Sequence, residues 1–347
     1  MLGRGVIRES KSPYYSQVHL APKPGTNNSD FVLTIELNTV TKAQGWLLPN
    51  IQEMLQRLGA RRSQYYGVLD LTSGYHQTPI SLSSAAYTAF IVFCGVYEFL
   101  RVPFGLKSAG SYFQNTMASV VLGPELLYFV CEAYLDDIIV DGQNEDDFIT
   151  NLRKVLTRLQ LFGVKLNPEK LRLGLKELEY VGHVINGNGL NMSKVKIEKV
   201  LDFALPTTLK TLRSFLGLAN YFRDHVKNYA SIATPLHAMT TVKKGSKLAW
   251  TQPALSAYEE IKSLIEQCPT LFFLNDTDPV FLYTDASDYG IGSHLYQVVN
   301  GKEVSISFIS KNLNAVQRKW DVPEREAYAI YYGIIKNEYL LINRQFI

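Results

Sequence analysis

Ala133-Tyr134-Leu135-Asp136-Asp137-Ile138-Ile139-Val140 sets two adjacent carboxylates between apolar runs. Aromatic and β-branched residues favour a pleated, half-buried backbone. The stretch therefore reads as a strand pair bracketing an Asp-Asp tip, Ala133 to Leu135 on one side and Ile138 to Val140 on the other. Most Asp-Asp pairs are solvated turns. Here the flanks would bury the carboxylates, which is costly without a compensating cation. Tyr65-Tyr66-Gly67-Val68-Leu69-Asp70 is a second buried strand ending on a carboxylate, followed by a turn at Ser73-Gly74.

Outward from these two strands, Ala89 to Phe93 and Val96 to Val102 flank Cys94-Gly95 with the composition of a β-hairpin. Phe148, Leu152, Val155, Leu156 and Leu159 repeat at helical spacing between Asn144 and Gly163, predicting a core-packed helix. A short strand is expected over Leu178 to Val184, with a hairpin turn at Asn186-Gly187-Asn188-Gly189. Strands and helices in this order predict an α+β sheet layer rather than a doubly wound parallel fold.

Thr207 or Thr208 caps a helical pattern through Leu212, Phe215, Leu216, Leu218 and Phe222. Lys243 to Ser246 reads as a linker and Pro253 to Cys268 as a helix. A strand-rich segment then opens at Pro279 to Thr284, with a long helix over Pro323 to Leu341.

A chain of 347 residues divides into two or three domains. No stretch is apolar enough to span a bilayer, and Met1 to Ser16 lacks the pattern of a signal peptide. An intracellular protein of the cytoplasm or nucleus, with no membrane partner, is expected. Cys94, Cys131 and Cys268 fit neither a zinc spacing nor a disulfide framework and read as reduced, mostly buried thiols. The 35 basic against 32 acidic residues say little. Their distribution says more: between Asn191 and Ala230, Lys194, Lys196, Lys199, Lys210, Arg213, Arg223 and Lys227 face only Glu198, Asp202 and Asp224. That is the charge pattern of a surface tracking a phosphate backbone, or of a solvated helix face.

The ordered motifs resemble those of reverse transcriptases. Val68 to Gln77 is similar to their first aspartate motif, Val102-Pro103-Phe104-Gly105-Leu106-Lys107-Ser108-Ala109-Gly110 with Phe113-Gln114 to the segment after it, and Tyr134-Leu135-Asp136-Asp137 to their catalytic box. Gly163 to Lys170, Tyr180-Val181-Gly182-His183 and Leu216 to Arg223 resemble the gypsy-type LTR retrotransposon (Metaviridae) lineage.

The resemblance implies right-hand polymerase fingers and palm over residues 1–190, a helical thumb and connection region over 191–245, and a C-terminally truncated RNase H-like α/β domain over 246–347. It implies an RNA-directed DNA polymerase that extends a primer on an RNA or DNA template with dNTPs. Nucleotidyl transfer of this kind uses two Mg²⁺ ions, with Mn²⁺ as a substitute, about 3.5 to 4 Å apart on hard oxygen ligands. Asp70, Asp136 and Asp137 would be those ligands. Tyr75 would exclude a ribonucleotide 2′-hydroxyl, and Phe104 and Gly105 would line the nucleotide site with Lys23. Tyr180, Val181, Gly182 and His183 would form the primer grip.

Three departures accompany the resemblance. Thr26 to Glu36 contains no Lys or Arg, leaving Lys23 alone where the family carries several basic residues. Each lost charged contact to a triphosphate forfeits roughly 1.5 to 3 kcal/mol. Ser108 and Gly110 also stand where the family has Asn and Pro. In the last domain, Asp285 and Glu326 match the first two RNase H carboxylates, and the chain stops before the next one. No RNase H activity is expected. The competing expectation is a degenerate, retroelement-derived protein that binds nucleic acid without catalysis.

Overall fold

The computed structural model describes residues 1–22, 29–34, 37–42, 45–46, 48–180, 182–187, 189–241 and 248–347. Lys23, Val181, Asn188 and the expected linker Lys243 to Ser246 lie outside the described residues, as does part of Thr26 to Glu36. The chain divides into two compact units, Met1–Met54 with Ser63–Lys176, and Leu55–Arg62 with Glu177–Ile347.

The first unit contains β1 (Ile7–Glu9), β2 (Gln17–Pro22), β3 (Ser29–Thr34), α1 (Leu37–Val40), the start of α2 (Ile51–Ala60), β4 (Tyr65–Asp70), α3 (Gly74–Gln77), α4 (Leu82–Ala85), β5 (Phe90–Val92) and β6 (Gly95–Phe99). It continues through α5 (Ala109–Asn115), β7 (Cys131–Tyr134), β8 (Asp137–Gly142), α6 (Glu145–Leu161) and β9 (Arg172–Leu175). Its central sheet has the order β7-β8-β4-β9 and is antiparallel throughout. Val68, Leu69, Ile138, Ile139 and Val140 are all at most 4% exposed. Full burial of such side chains is worth roughly 1.5 to 3 kcal/mol each, which fixes both strands in register.

α6 begins where Asn144 accepts a hydrogen bond from the Asp147 N–H. Phe148, Val155 and Leu159 are buried on one face. Leu156 departs from the expected stripe: it is exposed, because one residue beyond Val155 turns the side chain about 100° around the helix. Cys94 also departs. It is exposed, since it lies between β5 and β6 at the hairpin turn, whereas Cys131 is buried and Cys268 half-buried.

The second unit holds β10 (Glu177–Tyr180), β11 (His183–Asn186), β12 (Gly189–Met192), α7 (Lys194–Leu201), α8 (Leu209–Ala219), α9 (Tyr229–Ala238) and α10 (Gln252–Glu266). β13 (Leu271–Phe272), β14 (Val280–Ala286), β15 (Gly290–Val299), β16 (Lys302–Asn312), α11 (Val322–Lys336) and α12 (Glu338–Leu341) follow. The strand expected over Leu178 to Val184 is two antiparallel strands, β10 and β11, with Tyr180 opposite His183. Gly182, at φ 77°, takes the left-handed conformation that permits the reversal. β11 and β12 form the hairpin expected from Asn186 to Gly189.

Thr208 caps α8 through a reciprocal bond with Thr211. α7 to α10 pack around Leu212, Phe215, Leu216, Tyr229, Tyr258 and Ile261. The helix expected over Pro323 to Leu341 is broken at Asn337 into α11 and α12. There the buried Asn337 side chain binds the Gly333 carbonyl and the Ser307 hydroxyl. Among the described residues no helix is long and apolar enough to cross a membrane.

Candidate active site

Antiparallel register sets Asp70, the last residue of β4, directly opposite Asp137, the first of β8. Tyr134 pairs with the same Asp137 across β7 and β8, so Leu135 and Asp136 form a two-residue loop at the tip. Leu135 has φ 51°, a left-handed conformation that costs a non-glycine residue about 1 kcal/mol.

Gln114, buried on α5, braces that tip. Its Nε2 donates to the Ala133 carbonyl at 2.9 Å, and its Oε1 accepts the Leu135 N–H at 2.7 Å. From the opposite side the Leu71 N–H donates to the Asp136 carbonyl at 3.1 Å. Gly74 matters for space: a Cβ there would come 2.3 Å from Asp136 Oδ1.

The electrostatics are those of crowded carboxylates. Burial, then the charges of Asp137 and Asp70, raise Asp136 to about 6, against an ordinary 3.8. Burial and the Asp70 charge also raise Asp137. Among the described residues Asp136 Oδ1 is buried with no hydrogen-bond partner. Lys170 Nζ donates to Asp70 Oδ2 at 3.0 Å and lowers both neighbours. Among the described residues no three His, Cys, Asp or Glu side chains are drawn together closely enough to hold a metal ion.

Segment 163–170, read from sequence only as a mark of lineage, packs against the strand that carries Asp70. The Asn167 N–H donates to the Asp70 carbonyl at 2.9 Å and the Thr72 N–H to the Lys165 carbonyl at 3.0 Å. Gln77 closes the junction, donating to the carbonyls of Thr72 and Lys165 and accepting the Lys165 N–H. Gln77, Gln114 and Lys170 lie within the reverse-transcriptase-like motifs, but no pattern in one sequence says which backbone groups a glutamine will bind.

Tyr75 stands beside the carboxylates, edge-on to Phe104 (centroids 5.1 Å, 89°) and Phe113 (5.2 Å, 71°). Burial, then the Asp136 charge, raises its hydroxyl. A Cβ on Gly110 would lie 3.4 Å from that hydroxyl, an ordinary van der Waals contact. Gly105 has φ 102° and is exposed, its carbonyl accepting the Asn38 side-chain amide at 2.7 Å. Asn38 also accepts the Lys107 N–H at 2.8 Å, so the Leu37-Asn38 pair anchors this loop.

The remaining expected residues lie in the second unit, apart from Lys23 and Val181, which are outside the described residues. Tyr180 and His183 are buried, leaving Gly182 as the turn's half-exposed backbone. Asp285 is exposed on β14, between Thr284, which lies near Gly333 of α11, and Ala286, which packs by Ile291 and Ala329. Glu326 is half-exposed, one turn before Ala329. Among the described residues no third carboxylate joins either one in a metal-holding group.

Residues 29–185 match the family model of reverse transcriptase (RNA-dependent DNA polymerase), and residues 250–347 that of an RNase H-like domain found in reverse transcriptase. The chain is 34% identical over 348 residues to the retrovirus-related Pol polyprotein from transposon opus of Drosophila melanogaster, covering 96% of this chain and 34% of the polyprotein. It is 35% identical to that from transposon 297 (100% and 32%) and 31% identical to that from transposon gypsy (97% and 33%), both of the same organism. The chain thus spans about a third of the length of these relatives.

Among solved structures, the foamy viral protease-reverse transcriptase dRH in complex with dsDNA superposes with TM-score 0.86 at 24% identity, over 99% of this chain and 60% of that one. The foamy viral protease-reverse transcriptase in complex with RNA/DNA hybrid gives 0.84 at 24%, over 99% and 46%. Likeness at this identity speaks for the fold. Two family models in order along one chain, and Pol polyproteins matching it almost end to end, make it a member of the gypsy-type LTR retrotransposon reverse transcriptases.

Proposed function

We propose that the chain is an RNA-directed DNA polymerase that extends a primer with dNTPs on an RNA or DNA template. The observation that carries this reading is the pairing of Asp70 with Asp137 across β4 and β8, with Asp136 at the adjoining tip. Residues 1–190 are taken as fingers and palm, 191–245 as thumb and connection, and 246–347 as the RNase H-like domain. The site of action is a compartment holding dNTPs, cytoplasm or nucleus.

The donor atoms are of the kind Mg²⁺ takes. All three side chains offer hard oxygen, and the buried Asp136 Oδ1 has no hydrogen-bond partner among the described residues. Asp70, Asp136 and Asp137 would hold two such ions, whose charge would lower the pKa of a 3′-hydroxyl and offset that on departing pyrophosphate. The protein's own residues do the remaining work. Gln114 and Leu71 hold the tip that aims Asp136, and Lys170 offsets part of the carboxylate charge. Tyr75, packed edge-on against Phe104 and Phe113, rejects a 2′-hydroxyl by occupied volume. Gly105 allows close approach of a base or sugar.

Primer extension by the purified chain on an RNA template tests the proposal. Incorporation that depends on Mg²⁺ or Mn²⁺ and vanishes in Asp136→Asn is expected. No incorporation at saturating dNTP and metal by the unaltered chain sinks it.

A further inference from the structure

The Leu216–Arg223 motif has no part in the chemistry above, yet the fold carries it to the Tyr180–His183 hairpin of the same unit. Tyr221 follows α8 in the short helix Asn220–His225. Its hydroxyl lies 3.0 Å from His183 Nδ1, with ring centroids 5.2 Å apart. A Cβ on Gly182 would approach that hydroxyl to 2.8 Å and Lys196 Cε to 2.9 Å. Gly182 is thus confined by contact as well as by its φ of 77°.

Three further contacts close the assembly. Lys196 Nζ sits 4.8 Å above the Tyr221 ring. The His225 ring stacks 6.0 Å from His183 and binds the Pro269 carbonyl through Nδ1 at 3.1 Å. The Ser193 N–H donates to the Gly182 carbonyl at 3.1 Å, and Ser193 Oγ donates to Glu179 at 2.5 Å. Burial pushes the Tyr221 hydroxyl up to about 12 and His225 down to about 4, so neither changes charge near neutral pH.

We infer that Tyr221 is a positioning residue for the primer end: through His183, and by a hydroxyl that fills the space a side chain on Gly182 would need, it sets where the turn presents its backbone. The inference rests on reading the Tyr180–His183 hairpin as the primer grip. A structural brace with no effect on nucleic acid would leave primer handling unchanged when only the hydroxyl is removed.

The test uses the full chain and a fluorescently labelled primer–template, whose dissociation rate is read without turnover. Gly182→Ala probes the grip itself, and Tyr221→Phe removes one hydrogen bond while keeping the ring. Both variants should release primer–template faster, roughly fivefold for Tyr221→Phe. Their KM for dNTP should stay within about twofold of the unaltered chain, because uniform binding of dNTP is untouched. If Gly182→Ala accelerates release and Tyr221→Phe does not, this inference falls and the grip reading stands. If neither does, the grip reading falls with it. A Tyr221→Phe variant whose melting point drops and whose dNTP KM rises in step with release has a general structural role, which also overturns the inference.

Discussion

The Leu135 N–H donates to Gln114 Oε1 at 2.7 Å, and this bond lies under the one left-handed residue of the carboxylate hairpin. The same amide group holds the Ala133 carbonyl, so one side chain straddles the bend. Replacing Gln114 with Met, close in size, would leave two backbone groups unpaired and cost about 1 to 3 kcal/mol. Polymerisation should fall well beyond what the melting point explains, since the tip aims Asp136. Retention of most activity in Gln114→Met would refute this role.

Asp136 gives the next expectation. Its folded-state value of about 6 exceeds the ordinary 3.8, so between these limits the folded chain holds a proton that the unfolded chain has lost. Stability therefore declines as pH rises through that window and stays lower above it. Asp136→Asn should raise metal-free stability at pH 7.5 by about 1 kcal/mol, allowing for solvent screening, and change little at pH 4. Thermal melting in chelator at both pH values checks the sign.

Cation binding should follow the same proton. Binding of Mn²⁺ to the resting chain, read by its paramagnetic signal, should tighten as pH rises from about 5 to about 7. Lys170 offsets the charge around Asp136, and Lys170→Ala should move this dependence to higher pH. A dependence that is flat in this range would remove Asp136 from the set of ligands.

Tyr75→Val should admit ribonucleotides. The gain in relative use of rNTP over dNTP should reach on the order of tenfold or more, read as the ratio of kcat/KM values. Tyr75→Phe keeps the ring between Phe104 and Phe113 and should retain discrimination.

Local pattern carried much of this architecture. The strand ending at Asp70, the Asp136-Asp137 hairpin, the Asn144 cap and the Thr208 cap all follow from periodicity and capping chemistry. What escaped was tertiary. Leu156 fits a helical stripe but falls off the buried face, and Asn337 breaks a helix because its side chain finds partners in β16 and in the preceding turn. Gly182 split one apparent strand in two, since a single glycine in an apolar run does not reveal its φ. The aspartates could be read from motif and flank. The glutamines that hold them could not, because their partners are carbonyls and amides brought together only on folding.

Asp70 and Asp136 are mounted differently. Asp70 belongs to a strand hydrogen-bonded on both sides, whereas Asp136 rides on a loop of two residues held by one glutamine and one amide. The compliance of the site is accordingly one-sided. A load placed on both carboxylates would be taken up first at the Asp136 tip, with Asp70 as the fixed jaw, so the give of the pair resides in Leu135 and its brace.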